Sequence, residues 1–218
     1  SRGLQGFASR RVLCGVRIRP TLLQNAITLV ESTLAAEAGD SAHGAIYCRP
    51  SMCSRKKFMR QVLLIVDVQE TFSPPEWLVD GVRAFSAMIP TIASVELHDE
   101  QVTPFEKQLG WHPAAQDESL VEADKVFIKH GYGPTAEMLE YLKQLGVERV
   151  LVCGMQTETC LLAAGFALFD AGLCPTLVTD LTVGSSLDRS GQLGIDLWKH
   201  HFRNVTTRAE VVAGLDIH

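Results

Sequence analysis

The 218-residue sequence lacks the features that mark several large classes of protein. No apolar run approaches the roughly 18 residues that a membrane-spanning helix needs, so no membrane partner is expected. A net charge of −5 leaves no basic surplus for nucleic acid. The six cysteines are too sparse and irregular for a disulfide scaffold, so we expect reduced thiols in the cytoplasm. These absences leave a soluble domain with a core of its own.

The first 58 residues differ in composition from the rest of the chain. Five arginines but no acidic residue precede Glu31, a composition that loosely resembles an organelle transit peptide. From Met59 onward the sequence leads directly into an apolar strand. We therefore predict an N-terminal extension over residues 1–58, which is a leader, a transit segment or a poorly ordered segment, and a folded domain over residues 59–218.

Apolar runs and helical spacings alternate along residues 59–218. The runs predict strands at 62–66, 91–97, 125–128, 150–153, 176–179 and 204–206. Helical spacing follows them at 77–88, 135–145, 161–171, 184–201 and 207–215. This order predicts an α/β fold with a parallel sheet and helices on both faces. No Gly-x-Gly-x-x-Gly follows the first strand, so a dinucleotide-binding fingerprint is absent.

Three predicted strands end at residues that can carry chemistry: Asp67, Lys129 and Cys160. The carboxyl ends of parallel strands lie on one edge of the sheet, so these side chains converge if the strands are neighbours. Cys160 falls at the first turn of a predicted helix, where free N–H groups favour a thiolate. We expect the ammonium to lower the thiol pKa and the carboxylate to take up the proton. An ordinary structural role for each residue alone stays open.

The motifs around these residues are specific as a set. The segments DVQETF (67–72), KVFIK (125–129) and GMQTETC (154–160) resemble the signature of the isochorismatase-like cysteine hydrolases, which include nicotinamidases and N-carbamoylsarcosine amidases. The resemblance covers about residues 59–212. It implies a Rossmann-like three-layer sandwich with a six-stranded parallel sheet, no cofactor, a small-molecule substrate, and a homo-oligomer such as a dimer or tetramer.

The resemblance also implies how the residues divide the work. Cys160 would be the nucleophile that attacks an amide or ureido carbonyl, Asp67 the general base and acid, and Lys129 the cation that orients them. A cis peptide between Met155 and Gln156 is implied. It would direct the backbone N–H of Gln156, together with that of Cys160, at the oxyanion.

Further residues are implied as the lining of the substrate pocket. Phe72 falls at the pocket-lining aromatic position of the family, and His98 and Met155 are predicted beside it. Nicotinamidases carry a metal on an Asp-x-His pair and a further His, where this chain has Glu96-Leu97-His98 and His112. A degenerate metal site stays open there, but we predict a site without metal.

Two other functions stay open from the sequence. One is isochorismatase-type cleavage of another small substrate, which Cys160 disfavours because the ether-cleaving isochorismatases lack the nucleophilic cysteine. The other is a non-catalytic oligomeric scaffold or thiol sensor on the same fold. A sensor would need the thiolate but no proton shuttle from Asp67.

Overall fold

Six parallel strands form one sheet in the order β3-β2-β1-β4-β5-β6 in the computed structural model, which describes residues 60–215. The strands are β1 (Gln61–Val66), β2 (Thr91–Glu96), β3 (Lys125–Lys129), β4 (Arg149–Met155), β5 (Cys174–Val183) and β6 (Val205–Thr206). The helices are α1 (Glu76–Ser86), α2 (Phe105–Leu109), α3 (Ala136–Gln144), α4 (Leu162–Asp170), α5 (Gln192–His201) and α6 (Arg208–Leu215). A π-helical turn (Thr157–Leu161) precedes α4. The fold is the expected α/β sandwich with a six-stranded parallel sheet.

The central strands are buried on both faces because their apolar side chains alternate between two cores. Leu64 of β1 packs in one core with Trp198 of α5. Leu63 and Ile65 pack in the other core with Phe85 of α1. The continuous apolar run that predicts β1 is therefore typical of a central parallel strand.

The strand order places a topological switch point in the middle of the sheet. β1 pairs with β2 on one side and with β4 on the other, so the chain leaves β1 in both directions. Open α/β sheets form their ligand sites outside the carboxyl ends of the strands at such a point. The ends of β1 and β4 are therefore the place to look for a site.

The end of β5 differs from the prediction. The sequence predicts a strand that ends before Asp180, but β5 continues to Val183. Its register with β4 shifts between Val152 and Gly154, so an exposed stretch at Asp180 is followed by renewed pairing. Asp180 therefore lies within the strand.

The start of the following helix also differs from the prediction. The sequence predicts a helix from Gly184, but α5 begins at Gln192. Asp188 explains the delay, because its carboxylate accepts hydrogen bonds from the backbone N–H of Ser190 at 3.2 Å and of Leu193 at 2.7 Å. Residues 184–191 form a turn that fixes the start of the helix.

The predicted loop at residues 99–124 contains the short helix α2. The Glu100 carboxylate accepts hydrogen bonds from the N–H groups of Glu106 and Lys107, each at 3.1 Å. The Phe105 side chain is buried. The loop is therefore anchored at one point.

The predicted N-terminal extension over residues 1–58 lies outside the described residues. Within residues 60–215, no helix combines the length and the apolar character that crossing a bilayer requires.

Gly154 allows β4 to approach β1 closely at the carboxyl edge. Its φ of 113° is rarely adopted by other residues, and an added Cβ would lie 2.1 Å from the carbonyl oxygen of Val66. Val66 is its partner in the parallel register and directly precedes Asp67. A side chain at this position would push the two strand ends apart.

We predict that Gly154→Ala lowers the free energy of unfolding by about 3 kcal/mol or more, because strain and a backbone clash combine. Gly214→Ala in α6 is the matched control, since its added Cβ meets nothing within 4 Å. The control should be neutral or stabilising by up to about 1 kcal/mol. Urea unfolding curves of the two variants measure the difference, and equal midpoints would contradict the prediction.

Candidate active site

Four neighbouring strands each place one polar group at the carboxyl edge of the sheet. β3 ends in Lys129 and β2 ends in Glu96, while Asp67 follows β1 and Cys160 follows β4. All four side chains are buried, with exposed fractions between 0% and 5%. Their order along the edge is the order of the strands.

The ammonium group of Lys129 lies at the centre of this cluster. Its Nζ lies 2.8 Å from Asp67 Oδ2 and 2.8 Å from Glu96 Oε2. It donates a further hydrogen bond to the carbonyl oxygen of Gly131 at 2.8 Å and lies 3.8 Å from Cys160 Sγ. One cation is therefore shared by two carboxylates and a thiol.

The structure brings Asp67, Lys129 and Cys160 together, but not by the expected route. The prediction requires the three strands that end at these residues to be neighbours, whereas β2 separates β3 from β1. Glu96 at the end of β2 fills that interval, and its Oε2 lies 3.4 Å from Cys160 Sγ. Sequence reasoning considered Glu96 only as a metal ligand. The sequence signal that points to Glu96 is the one that predicts Asp67, namely a carboxylate at the end of an apolar strand.

A hydroxyl group fixes the carboxylate of Asp67 from the other side. Ser94 Oγ on β2 donates a hydrogen bond to Asp67 Oδ1 at 2.9 Å. The backbone of Asp67 has φ 53°, in the left-handed region, and its N–H donates to the Ser94 carbonyl oxygen at 3.1 Å. Asp67 is therefore held by β2 through its main chain and its side chain.

Gln69 fixes the main chain of Glu96 in the same way. Its side-chain amide donates to the Glu96 carbonyl oxygen at 2.9 Å and accepts from the Glu96 N–H at 2.8 Å. The same amide nitrogen donates to Asp117 Oδ2 at 3.0 Å. The buried Gln69 thus ties the segment after β1 to the end of β2. Sequence reasoning missed Ser94 and Gln69.

Cys160 lies in the π-helical turn rather than in the first turn of an α-helix. The peptide between Met155 and Gln156 is cis, as the resemblance implies. The Gln156 carbonyl oxygen accepts hydrogen bonds from the N–H groups of Thr159 and Leu161 at 3.0 and 3.2 Å. The use of the Gln156 and Cys160 N–H groups as an oxyanion hole stays a prediction.

The segment between β5 and α5 supports this turn. Thr157 Oγ1 lies 2.6 Å from Thr182 Oγ1, and the Ser185 N–H donates to Glu158 Oε1 at 2.8 Å. Gly194 of α5 packs so closely that an added Cβ would lie 2.6 Å from the Glu158 nitrogen. The turn that carries Cys160 is therefore held from β5 and α5 at once.

Burial raises the pKa values of Asp67 and Cys160, and the Lys129 charge opposes both shifts. Burial raises the pKa of Asp67 to about 6, although the Lys129 charge opposes this shift. Burial also raises the pKa of Cys160 well above its ordinary value, and the charges of Asp67 and Glu96 add to the effect. Lys129 does lower the thiol pKa, but its effect is outweighed. The expected effect of the ammonium is therefore present, but burial and the two carboxylates raise the pKa of the thiol overall.

The side chain of Lys129 stays protonated in the same surroundings. Burial alone would lower the pKa of Lys129, but the charges of Asp67, Cys160 and Glu96 raise it above its ordinary value. The side chain is therefore a permanent cation at the centre of the cluster.

A narrow recess lies against the thiol. Its lining comprises Leu64, Val66, Ser94, Lys129, Tyr132, Pro134, Met138, Cys160 and Ala164. Met155, predicted to line the pocket, is fully buried and packs in the core around Leu63 and Ile65 instead. Phe72 and His98 are half-buried beyond the recess, so their role in the pocket stays a prediction.

Within the described residues, the donor atoms of Glu96, His98 and His112 do not come close enough together to form a metal group. The rings of His98 and His112 stack with centroids 4.0 Å apart and planes 21° apart. His112 Nδ1 lies 2.8 Å from the Pro113 carbonyl oxygen, and His98 Nε2 lies 3.5 Å from Glu100 Oε2.

Within residues 60–215, the donor atoms of Asp67, Glu96 and Cys160 form the one group close enough to hold a metal. The ammonium of Lys129 contacts all three of these side chains, so a protein cation already occupies their centre. The residues therefore do not fit a metal, and we derive no step through one.

Comparisons with known proteins agree with this architecture. The family model for the isochorismatase domain matches residues 61–210. The fold is similar to an isochorismatase-like hydrolase from Alkaliphilus metalliredigens, with TM-score 0.60 and 13% identity over 72% of this chain and 97% of that one.

Two further structures share the fold. PnC1 from L. infantum in complex with nicotinate has TM-score 0.57 and 19% identity, covering 69% of this chain and 94% of that one. The pyrazinamidase of Pyrococcus horikoshii in complex with zinc has TM-score 0.58 and 20% identity, covering 68% of this chain and 99% of that one. No curated protein matches the chain.

We predict that Lys129→Met lowers the free energy of unfolding by about 3–5 kcal/mol at pH 8, because two buried carboxylates lose their cation. The penalty should shrink towards pH 5. Burial raises the pKa of Asp67 and the Lys129 charge opposes this rise, so without the ammonium the carboxyl is protonated more readily and protonation at lower pH favours the folded state.

Lys125→Met is the matched control on the same strand, since Lys125 pairs with an exposed Glu137 at 3.1 Å. It should cost about 1 kcal/mol at either pH. Denaturant unfolding of both variants between pH 5 and 8 measures the difference. An equal loss at both pH values for Lys129→Met would show that the ammonium does not neutralise the carboxylates.

Proposed function

The chain belongs to the isochorismatase family, and on that premise we propose that it is a cysteine hydrolase that cleaves an amide or ureido C–N bond of a small molecule. The observation that carries the proposal is the buried contact of Cys160 Sγ with Lys129 at 3.8 Å, beside the Asp67 carboxylate. A nucleophile next to proton acceptors and a fixed cation is the arrangement that covalent catalysis needs.

Cys160 attacks the carbonyl carbon in the proposed reaction. The carbonyl π electrons move to oxygen, and the resulting oxyanion is stabilised by the backbone N–H groups of Gln156 and Cys160, each contributing about 3 kcal/mol. The intermediate collapses to a Cys160 thioester with loss of ammonia or an amine. Water then cleaves the thioester and restores the thiol.

Asp67 is the general base and acid of this reaction. A group serves best when its pKa lies near the working pH, and burial raises the pKa of Asp67 to about 6. It can therefore take up a proton near neutral pH and return it to a leaving nitrogen. Lys129 holds Asp67 and Cys160 in register through its contacts at 2.8 and 3.8 Å.

The lining of the recess supports a substrate with a small apolar acyl group. Most of the lining residues are apolar, and Lys129, Ser94, Tyr132 and Cys160 are the ones that carry polar groups. The narrowness of the recess favours a small group beside the reacting carbon.

Burial of the thiol disfavours the sensor alternative. A redox sensor exposes its thiol and places a second cysteine beside it, whereas Cys160 is 5% exposed and Cys153 is fully buried in β4. Hydrolysis requires access only for a substrate that enters the recess. The hydrolase is therefore the function that the site supports best.

The direct test is ammonia release from a panel of primary amides and ureido compounds. We predict that Cys160→Ser loses on the order of 10³-fold or more in kcat, whereas the matched Cys174→Ser, at a half-buried position outside the site, keeps full activity. Mass spectrometry of the quenched reaction should find an acyl adduct on Cys160. Turnover that survives Cys160→Ser would refute the thioester mechanism.

We predict that kcat/KM falls as the pH drops through about 6. Asp67 must be ionised to accept a proton, and burial raises its pKa to about 6, so the base form is lost below that pH. Asp67→Asn should lower kcat by about 10²- to 10⁴-fold and abolish this acid limb. Asparagine tolerates the left-handed φ of 53°, so the variant should fold. An unchanged limb in Asp67→Asn would assign the titration to another group.

A further inference from the structure

Glu96 presents the carboxylate oxygen that receives the thiol group of Cys160 in this structure. Its Oε2 lies 3.4 Å from Sγ in a geometry that lets the thiol donate. We propose that Glu96 is a fourth catalytic residue, which accepts the Cys160 proton as the sulfur attacks. This proposal rests on the proposed function, since it assigns one proton transfer within that reaction.

The position of Glu96 in the sheet makes it part of the site. Glu96 is the register partner of Lys129, so the two side chains leave the sheet side by side. The same Oε2 atom contacts Lys129 Nζ at 2.8 Å and Cys160 Sγ at 3.4 Å. One oxygen atom therefore links the cation to the nucleophile.

The charge balance of the cluster requires that the thiol proton stay inside it. Lys129 offers one positive charge against the carboxylates of Asp67 and Glu96, so a thiolate would be a third buried negative charge. Loss of the proton to solvent is therefore costly. Transfer of the same proton to a neighbouring carboxylate leaves the net charge of the cluster unchanged.

The orientation of the thiol favours Glu96 over Asp67 as the acceptor. Both carboxylates lie 2.8 Å from Lys129 Nζ, and each has one buried oxygen without a hydrogen-bond partner within residues 60–215, Asp67 Oδ2 and Glu96 Oε1. Asp67 Oδ1 already accepts a hydrogen bond from Ser94 at 2.9 Å. Glu96 Oε2 lies 3.4 Å from Cys160 Sγ with the geometry of a thiol hydrogen bond, so it is the oxygen placed to take the proton.

The main chain of Glu96 is fixed in a manner that suits this role. The Gln69 side chain makes two hydrogen bonds to the backbone of Glu96, at 2.8 and 2.9 Å. A catalytic group must be held within a fraction of an ångström of its target. The two hydrogen bonds from Gln69 restrain the backbone of Glu96 and do not involve either of its carboxylate oxygens.

The Sγ–H bond breaks and its proton moves to Glu96 Oε2, while the sulfur electron pair forms the S–C bond and the carbonyl π pair moves to oxygen. A proton then passes from Glu96 to Asp67 through Lys129, which takes one proton as it gives another and so remains a cation, since both carboxylates lie 2.8 Å from Nζ. Asp67 passes its proton to the nitrogen as the C–N bond breaks. Water adds to the thioester, supplies one proton to the carboxylates and completes the cycle when Sγ is reprotonated.

Alkylation of Cys160 by iodoacetamide tests the proposal, because the two possible roles of Glu96 predict opposite changes in the alkylation rate. If Glu96 were only a nearby negative charge, Glu96→Gln would stabilise the thiolate and speed alkylation at pH 7. If Glu96 accepts the proton, the same substitution removes the acceptor and slows alkylation, by about 10²-fold or more. The groups that face Glu96 are Asp67, Lys129, Cys160 and Tyr132, and all remain in this variant.

The design uses rate constants for each cysteine from peptide mass spectrometry between pH 5 and 9. Glu96→Asp keeps the charge but withdraws the oxygen by one methylene, so slow alkylation is expected here too, whereas a pure charge effect would leave the wild-type rate. It also covers the case in which Glu96→Gln fails to fold. Glu137→Gln, at an exposed carboxylate on α3, is the matched control and should react as the wild type does.

The outcomes separate this proposal from the proposed function. Slow alkylation in Glu96→Gln and Glu96→Asp, with a lowered kcat and little change in KM, supports the proton transfer. Unchanged or faster alkylation in these variants, with wild-type Cys160 still reactive and still acylated by substrate, overturns the role of Glu96 alone. A wild-type Cys160 that is inert at every pH overturns the proposed function itself.

Discussion

The buried ammonium group of Lys129 is the interaction on which the rest of the site depends. A lone charge at this depth would cost several kcal/mol, so it persists because two carboxylates lie 2.8 Å away. Each carboxylate in turn needs the same cation. Loss of the ammonium would leave two buried carboxylates without a cation, so the three side chains depend on one another.

The sheet brings these groups together because the spatial order of its strands differs from their order along the chain. Residues 61–155 supply four strands in the spatial order β3-β2-β1-β4, and each contributes one member of the cluster. The close approach at Gly154 brings the end of β4 against Val66, and the π-helical turn then carries Cys160 to the ammonium. The fold thus converts four separate strand ends into one contiguous row.

The sequence predicts the parts of this arrangement that depend on local pattern. Apolar runs predict the buried strands, and the motifs that end them identify Asp67, Lys129 and Cys160. Glu96 ends an apolar strand as Asp67 follows one, so its place at the sheet edge follows from the same pattern. Its position between Lys129 and Asp67 does not, because chain order does not reveal that β2 lies between β3 and β1. The direction of the thiol pKa was also out of reach, since it depends on the depth of burial and on the number of carboxylates around one cation.

The excess of negative charge in the cluster changes what activation of the cysteine means. A thiol beside a lone lysine is expected to rest as a thiolate, which reacts with many electrophiles and oxidants. Here burial and two carboxylates raise the pKa of Cys160, so the resting form at neutral pH is the thiol. In the proposed reaction the nucleophile forms only as the proton moves to a carboxylate within the site, during attack on an electrophilic carbon in the recess. Reactivity is thereby tied to bond formation at Sγ, because the thiol gives up its proton only as the sulfur gains a bond to carbon.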